Sequence, residues 1–262
     1  MLKYRLIPVL FLKHGFLVRS ESFSVHQNLG NPVAQVERYN AWNVDELIYI
    51  DITPDESYDY QREDTGLKNP KSILDVIDIV SQKCFMPLTF GGKIRTLEDI
   101  RLRLNRGADK VTINTAALAR PEFVREAAAE FGSQAVVVSI DALKKPDGTH
   151  EVYSCRGTKP TGLHPTDWAV QAESLGAGEI FLNSIDRDGM ATGYDLELVK
   201  GVTNATKIPV IACGGVGSYK DFVAGIVEGG ASAVAAGNIF NFKEMSYVLA
   251  KKELKKHQMN VR

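Results

Sequence analysis

The stretch IPVIACGGVGSYKDF (208–222) runs from a continuous apolar segment through a Gly-Gly pair into an amphipathic segment. The same order recurs in MPLTFGGKIRTLEDI (86–100). Each copy is followed by another apolar segment with a Gly-Ala pair near its start, GGASAVAAG (229–237) and RGADKVTIN (106–114). Continuous apolar runs are typical of parallel strands buried on both faces. The echo predicts a twofold internal repeat.

Apolar runs of this kind occur eight times along the chain and alternate with helix-like segments. The runs are RLIPVL (5–10), ELIYID (46–51), MPLTF (86–90), KVTIN (110–114), AVVVSID (135–141), EIFLNS (179–184), IPVIAC (208–213) and SAVAAG (232–237). The helix-like segments are 32–43, 71–83, 96–106, 121–131, 165–175, 194–205, 218–228 and 241–255. Eight strand–helix units predict an α/β fold, one (β/α)8 TIM barrel of two half-barrels spanning residues 1–262. A doubly wound open sheet is the alternative, but no strand-order reversal is marked.

Composition excludes several functions. The 262 residues are 44% hydrophobic and 24% charged, which favours a large buried core, and the net charge of -1 predicts no general attraction for nucleic acid or an anionic membrane. The cysteines, Cys84, Cys155 and Cys213, are odd in number and lack metal-ligand spacing, so we expect free thiols in a reducing cytoplasm, with no metal and no cofactor. The apolar run 6–12 fits a first strand better than a signal peptide, and no run approaches a membrane span.

Two Gly-Gly pairs follow strands in equivalent half-barrel positions. Gly91-Gly92 and Gly214-Gly215 lie where backbone N–H groups can approach an oxyanion, and Asn114-Thr115 and Gly237-Asn238 can complete two cradles. The alternative is that a tight strand–helix turn needs glycine for its own geometry. Because this fold often binds phosphate after its last two strands, we favour phosphate binding.

Acidic residues also stand at strand ends, where the active sites of such barrels lie. They are Asp51, Asp141, Asp186 and Asp188. Asp141 ends a very apolar strand, which favours general acid/base work over the alternative of a helix cap or a salt bridge to Lys144 or Lys145. The histidines fall in predicted loops, helix starts or the tail, and we expect them to be solvated; they are His14, His26, His150, His164 and His257.

Four charged residues start strands at the opposite, amino-terminal end of the barrel. They are Arg5, Glu46, Lys110 and Glu179. Two cations and two anions at such positions predict a closed ring of ion pairs. From chemistry alone, the favoured interpretation is a plug that stabilises the barrel, because this face usually serves stability.

The order and spacing of the following segments are specific. They are RLIPVLFLK (5–13), VDELIYIDIT (44–53), PLTFGGKIR (87–95), GADKVTINTAA (107–117), FGSQAVVVSIDA (131–142), KPTG (159–162), GAGEIFLNSIDRDGMATGYDLELV (176–199) and IPVIACGGVGS (208–218). Together they resemble the HisF family, the cyclase subunits of imidazole glycerol phosphate synthase, from Lys3 to about Phe240. The resemblance implies a HisH-like glutaminase partner whose ammonia crosses the barrel. It also implies an ammonia gate at the four-residue ring and an interface role for Asp109.

The same resemblance exposes departures at the carboxyl-terminal end. Phe11 stands where the family has its first catalytic aspartate, whereas Asp141 matches the second. Arg19 replaces a lysine, Lys93 replaces the third glycine of a Gly-Gly-Gly turn, and Gly237 replaces a serine. The second cradle keeps three matching residues, Asp188, Gly189 and Gly215.

An enlarged, acidic second loop, Pro54 to Asn69, also lies beside the expected mouth, and we interpret it as a docking segment or as a solvated loop.

Loss of the first acid with retention of the gate resembles a divergent WbuZ-like branch associated with glycosyl amidation. There a HisF-like barrel, a glutaminase and an ATP-using sugar amidotransferase convert an acetamido group of a bacterial surface sugar to an acetamidino group. We therefore expect an ammonia-conducting subunit. The alternatives are a histidine-pathway cyclase, which binds a phosphate-bearing ligand, and an isomerase of the related HisA type.

Overall fold

The computed structural model describes residues 3–54, 58, 70–242 and 244–262. Its strands are β1 Arg5–Lys13, β2 Phe16–Glu21, β3 Val25–Gly30, β4 Leu47–Asp51, β5 Leu88–Gly91, β6 Lys110–Ile113, β7 Val136–Lys144, β8 His150–Ser154, β9 Lys159–Pro160, β10 Glu179–Ser184, β11 Val210–Cys213 and β12 Ala233–Ala236. Its helices are α1 Pro32–Ala41, α2 Ile73–Ser81, α3 Leu97–Asn105, α4 Thr115–Ala119, α5 Glu122–Phe131, α6 Pro165–Ser174, α7 Leu196–Ala205, α8 Tyr219–Val227, α9 Asn238–Phe242 and α10 Ser246–Lys256.

Eight of these strands form a closed parallel barrel. The order around it is β1, β4, β5, β6, β7, β10, β11 and β12, and β12 pairs with β1 to close the ring. All eight correspond to predicted apolar runs, so the predicted (β/α)8 barrel is confirmed. Helices lie between successive strands and cover the outside of the barrel.

Several predicted boundaries differ from the structure. Most helices begin or end one to three residues inside the predicted segments, as α2 does within 71–83. The helix predicted over 241–255 is present only in part: α10 begins at Ser246, after the short α9 and after Met245, which is in the left-handed region at φ 57°. The two hairpins, β2–β3 and β8–β9, were not predicted.

The twofold repeat extends to details beyond the Gly-Gly turns. A hairpin follows the first strand of each half, β1 and β7, and a short helix, α4 or α9, follows the last. In both halves an aspartate caps the helix after the Gly-Gly turn: Asp99 accepts from the Thr96 N–H at 2.9 Å, and Asp221 from the Ser218 N–H at 2.8 Å.

The apolar core has two layers. The larger layer lies between the strands and the surrounding helices. The smaller one fills the barrel interior and consists mainly of Ile7, Val9, Phe11, Ile48, Val137, Phe181, Ile211, Cys213, Ala233 and Ala235. The period-two alternation along each strand separates the layers. The interior layer packs apolar side chains between the two ends of the barrel, and this apolar interior is called the lumen.

Among the described residues, no helix is long and apolar enough to cross a membrane. Within the same part of the chain, no cluster of three or more histidine, cysteine or acidic side chains is placed to hold a metal ion. The three cysteines are unpaired; Cys213 is buried, while Cys84 and Cys155 are partly exposed.

Candidate functional site

Four charged side chains close the amino-terminal end of the lumen. Arg5 Nη1 lies 2.8 Å from Glu46 Oε2 and 2.9 Å from Glu179 Oε1. Lys110 Nζ lies 2.7 Å from Glu46 Oε1 and 3.0 Å from Glu179 Oε2. Each carboxylate therefore sits between two cations, and the predicted ring of ion pairs is present. Its function as an ammonia gate stays a prediction.

The ring is largely withdrawn from solvent. The side chain of Glu46 is 2% exposed and that of Glu179 is 12% exposed. Burial lowers the pKa of Arg5, but the two carboxylates outweigh burial and hold the pKa above its ordinary value. Because a buried charge is tolerable only when paired, each member depends on the others.

Asp109 lies beside this ring on the exposed rim of the same end. Its carboxylate Oδ2 accepts a hydrogen bond from the Leu88 N–H at 2.8 Å. This bond fixes the strand entry next to Lys110. The predicted contact of Asp109 with a glutaminase stays a prediction, and its exposure is compatible with that role.

Asp141 lies in the second half of β7, three residues before its end, and lines the mouth. Asn114 Nδ2 donates to Asp141 Oδ2 at 3.1 Å, and the Ser139 hydroxyl lies 3.4 Å from Oδ1. The alternative of a salt bridge to a loop lysine is wrong, because Lys144 pairs with Glu197 and Lys145 with Glu151.

The environment of Asp141 keeps its proton to unusually high pH. Burial is the largest cause, the Ser139 hydrogen bond opposes it, and the nearby negative charge of Asp188 adds to it. Together they raise the pKa of Asp141 to about 7. A carboxyl group with a pKa near neutrality can both donate and accept a proton, which suits general acid/base work.

Phe11 lies across the mouth, near the end of β1. It pairs with Ile50 of β4 and with Val18 of β2, and it is 7% exposed. Its Cε2 atom lies 3.8 Å from the point where a Cβ on Gly237 would stand. A phenyl ring cannot carry a proton, so the two half-barrels present one acid and one aromatic ring.

The predicted cradle after β11 and β12 forms a cavity of about 300 Å³. The lining contains the expected residues Arg19, Asp188, Gly189, Gly215, Gly237 and Asn238. Gly215 has φ 103°, and a Cβ there would stand 2.2 Å from the Gly193 carbonyl oxygen, so only glycine fits. Backbone in this conformation is accessible to an oxyanion.

Three cradle residues also hold the β2–β3 hairpin. Asp188 Oδ2 accepts from the Ser20 hydroxyl at 2.6 Å, and Asn238 Nδ2 donates to the Ser20 carbonyl at 3.0 Å. A Cβ on Gly189 would stand 2.3 Å from the same carbonyl. Burial raises the pKa of Asp188, and the Ser20 hydrogen bond opposes that shift. Gly189 and Asn238 thus have a structural role that sequence alone did not reveal.

Arg19, from the same hairpin, lines the cradle and already forms an ion pair. Its guanidinium pairs with Glu21 and lies 5.7 Å from the centre of the Phe242 ring. The Arg19 guanidinium therefore stands at the rim of the cradle with Glu21 as its counterion.

The opposite cradle, after β5 and β6, is altered by Lys93. This residue is in the left-handed region at φ 55°, and its ammonium lies 3.6 Å from Asp51 Oδ2 and 5.3 Å from the centre of the Tyr58 ring. Gly92 has φ 93° and packs against Asp51, where a Cβ would stand 2.2 Å from the carbonyl oxygen. The lysine therefore faces a carboxylate and an aromatic ring. Thr115 is engaged as well, accepting from the Cys155 N–H at 3.0 Å.

Two features near the mouth escaped the sequence analysis. Tyr58 is buried and donates to Asp51 Oδ2 at 3.0 Å. His150, expected to be solvated, is buried and lies 2.9 Å from Asp195 Oδ2, so that expectation is wrong. The interpretation of 54–69 as a docking segment falls on residues 55–57 and 59–69, which lie outside the described residues.

The second and larger cavity of the mouth has a volume of about 810 Å³ and contains Asp141 in its lining. A closed parallel barrel with a buried acid and glycine turns at its carboxyl-terminal end defines a (β/α)8 protein with a ligand site at that end.

Comparison with known proteins identifies the family. The chain belongs to the family described as histidine biosynthesis protein, whose model matches residues 5–246. It is 41% identical over 261 residues to imidazole glycerol phosphate synthase subunit HisF of Alkaliphilus metalliredigens (strain QYMF). The aligned region covers 100% of this chain and 98% of the relative. The resemblance to HisF is confirmed; membership of a divergent branch stays a prediction.

Proposed function

We propose that this chain is the ammonia-accepting subunit of a glutamine amidotransferase and that it assembles with a HisH-like glutaminase at the end carrying the charged ring. The observation that carries this proposal is the ring of Arg5, Glu46, Lys110 and Glu179 placed over an apolar lumen. The free cysteines fit a cytoplasmic complex.

The lumen discriminates between ammonia and ammonium. Moving an ion into an apolar interior is very costly, whereas a small neutral molecule avoids that cost. The ring at the entrance pairs two cations with two anions, so it carries no net charge that would attract ammonium. Ammonia released next to the ring therefore enters as the neutral species and is kept from bulk protons until it reaches the mouth.

At the mouth, Asp141 is the group that moves protons. With a pKa raised to about 7, it is present in both protonation states near neutrality. Asn114 donates to one carboxylate oxygen at 3.1 Å and the Ser139 hydroxyl lies 3.4 Å from the other, so the carboxyl group is held in a fixed orientation. The cradle after β11 and β12, around Gly215 and Gly237, supplies backbone N–H groups for a phosphate of the acceptor.

Two reactions are candidates for the step that consumes the ammonia. The first is the cyclisation of imidazole glycerol phosphate synthase in histidine biosynthesis. The comparisons support this reaction better, because the full-length relative is named as subunit HisF of that enzyme.

The second reaction is amidation of a bacterial surface-polysaccharide sugar, with an ATP-using sugar amidotransferase as a further partner. Phe11 is the observation that favours it. The ring fills the position of an acid without replacing its chemistry, and loss of a positioned acid or base typically costs about 100- to 10,000-fold in rate. In this case the barrel delivers ammonia and does not cyclise.

Complementation of a strain lacking the cyclase subunit separates the two reactions. Growth without histidine, together with ammonia-dependent cyclisation by the purified chain, establishes the first reaction. If the chain supports neither growth nor cyclisation but forms a stable complex with the glutaminase, the second reaction, amidation of a sugar, is favoured. If the chain neither binds nor stimulates a glutaminase, the proposal itself is wrong.

A further inference from the structure

Asn183 is a buried polar side chain that the proposed function leaves without a role. It lies on β10, is 1% exposed, and lines the larger cavity of the mouth, here called the chamber. Its carboxamide oxygen Oδ1 is withdrawn from solvent and has no hydrogen-bond partner among the described residues. Leaving a buried acceptor unpaired is costly, so this oxygen calls for a donor that comes from outside that part of the chain.

The strand β10 places Asn183 at the mouth end of the lumen. Because side chains alternate along a strand, Glu179, Phe181 and Asn183 share one face of β10. Glu179 belongs to the charged ring and Phe181 to the apolar interior layer, so the lumen lies between the ring and Asn183. A small molecule that crosses the lumen along β10 therefore meets the Asn183 carboxamide after it has passed the Phe181 side chain.

Two side chains flank Asn183 at the same level of the barrel. The parallel pairing places Asn183 opposite Asp141 of β7 on one side and opposite Cys213 of β11 on the other. Asp141 is the group that moves protons at the mouth, whereas burial raises the pKa of the Cys213 thiol and keeps it neutral. A small molecule bound to Asn183 therefore lies beside the proton-transferring carboxyl group.

Gly214 leaves the space beside the carboxamide free of a side chain. A Cβ on this residue would stand 2.8 Å from Asn183 Oδ1, which is closer than nonbonded atoms approach. A carboxamide carries an acceptor at one end and two donor hydrogens at the other, and a half-turn about its Cβ–Cγ bond exchanges the two ends. Either end of the group can therefore face the chamber, and a ligand that donates a hydrogen bond selects the oxygen.

We propose that Asn183 is a further substrate-contacting residue of the mouth: its oxygen accepts a hydrogen bond from neutral ammonia at the exit of the lumen and holds the nitrogen beside Asp141. An acceptor is the suitable partner, because ammonia that donates an N–H keeps its lone pair free to attack. A neutral acceptor also favours ammonium less than a carboxylate does, since hydrogen bonds between charged groups are stronger. The inference rests on the proposed function, in the form in which ammonia reacts at the mouth.

The first measurement is the stability of Asn183→Leu, a substitution that keeps the approximate size of the side chain and removes its polar atoms. Because the buried oxygen is unpaired in the free chain, we expect the urea midpoint of this variant to equal or exceed that of wild type. A carboxamide that serves the fold would give a lower midpoint, since its removal would leave a buried partner unpaired. This measurement does not depend on any reaction.

The second measurement is ammonia-dependent cyclisation, with the concentrations of ammonium chloride and acceptor varied separately at fixed pH. For Asn183→Leu we expect the KM for ammonia to rise by roughly three- to tenfold, the size of one hydrogen bond to a neutral group, while the KM for the acceptor stays within about twofold. Asn183→Thr keeps an oxygen acceptor and should recover most of the loss. Asn204→Leu, at an exposed position of α7, is the matched control and should change neither constant.

Three results with Asn183→Leu would overturn the assignment: a lower urea midpoint, an unchanged KM for ammonia, or an equal or larger rise in the KM for the acceptor. If wild type binds the glutaminase but consumes no ammonia at the mouth, the role of Asn183 is wrong and the amidotransferase proposal stands. If wild type does not bind the glutaminase, the proposed function fails, while the assay with ammonium chloride still decides the role of Asn183.

Discussion

The two ends of the barrel treat charge in opposite ways. At the amino-terminal end, each of four charged groups contacts two of opposite sign, as Lys110 contacts Glu46 and Glu179 at 2.7 and 3.0 Å. At the carboxyl-terminal end, Asp141 is buried and no cation of the described residues pairs with it; the Asn114 amide and the Ser139 hydroxyl are its neighbours. At the amino-terminal end every charged group of the ring is paired, whereas at the carboxyl-terminal end burial makes the charged form of Asp141 unfavourable.

This difference separates structural from chemical roles. Removing one member of a buried set of ion pairs lowers the free energy of unfolding strongly, but the paired groups do not transfer protons. A carboxyl group kept partly protonated by burial is unfavourable for stability and useful for chemistry. Substitutions at the two ends should therefore change stability in opposite directions.

The largest effect is expected from Glu46→Ala at the ring. Removing this buried carboxylate leaves Arg5 and Lys110 to share Glu179, and breaking a buried pair typically costs about 3–5 kcal/mol in the free energy of unfolding. Urea denaturation measures the loss. The control is Glu98→Ala, whose pair with Arg101 is exposed, and its midpoint should not move. Equal shifts for both variants would contradict a cooperative ring.

At the mouth, Asp141→Asn should increase stability at high pH. The native pKa is raised to about 7 from 3.8, so between these values the unfolded chain loses its proton while the folded chain keeps it. Stability contributed by the protonated group is complete below about pH 4 and is lost as pH rises to about 7. The advantage of the variant should grow over that window by up to roughly 4 kcal/mol.

Urea denaturation at pH 3, 4, 6 and 8 measures this trend, and Asp195→Asn is the control of opposite sign. Burial raises the pKa of Asp195, but hydrogen bonds from His150 and Leu198 outweigh burial and lower it to about 2. Its contribution is present above about pH 4 and is lost as pH falls toward 2, so this variant should be weakened at pH 8. If both variants respond alike to pH, the contrast is wrong.

Restoring an acid at position 11 should not restore cyclase activity at the mouth. We expect Phe11→Asp to cyclise at least about 100-fold more slowly than the Alkaliphilus metalliredigens relative, because misplacement of about 1 Å can cost that much. Lys93 is held at Asp51 and Arg19 at Glu21, so neither takes a different position when the acid returns.

Ammonia-dependent kcat/KM of the two proteins, measured in parallel, decides this prediction. Phe11→Asn has the same shape without the acid and serves as the control. Turnover of Phe11→Asp that matches the relative would mean that the other departures at the mouth are unimportant.

Sequence was sufficient for the barrel because buried parallel strands are read from local apolar runs. The ring was predictable too, since its members start strands and strand starts meet at one end. The β2–β3 hairpin was not predicted because β3, VHQNLG, is polar and largely exposed. For the antiparallel pairing of β7 with β8 a signal existed: Asp147-Gly148, between these strands, is a turn dipeptide, and Gly148 has φ 86°.

The finer contacts of the mouth could not be read from the sequence. Lys93 finds Asp51 and Tyr58 only when β4 and β5 lie side by side, and His150 finds Asp195 across 45 residues of chain. The residue types were visible, but their partners depend on tertiary packing. Phe11 was recognised as a lost acid, and only the structure showed that it lines both cavities of the mouth.

The smallest expected effect also tests the role of the ring most directly. Lys110→Ala should reduce product formation from glutamine more than product formation from ammonium chloride. Ammonium supplied in bulk reaches the acceptor without crossing the barrel, while ammonia from glutamine depends on the entrance. Coupling between sites is typically worth roughly 5- to 150-fold, and we expect a loss near tenfold with glutamine.

The assay combines the chain with its glutaminase and acceptor and uses both nitrogen sources, after thermal melts have shown that wild type and variant are folded. Lys83→Ala is the matched control, because Lys83 is an exposed lysine outside the ring, paired with Glu37 at 2.8 Å. It should leave both activities unchanged. If Lys110→Ala lowers both activities equally, the ring only stabilises the barrel; if it lowers neither, the lysine is dispensable. Only the selective loss assigns the entrance of ammonia to this end of the barrel.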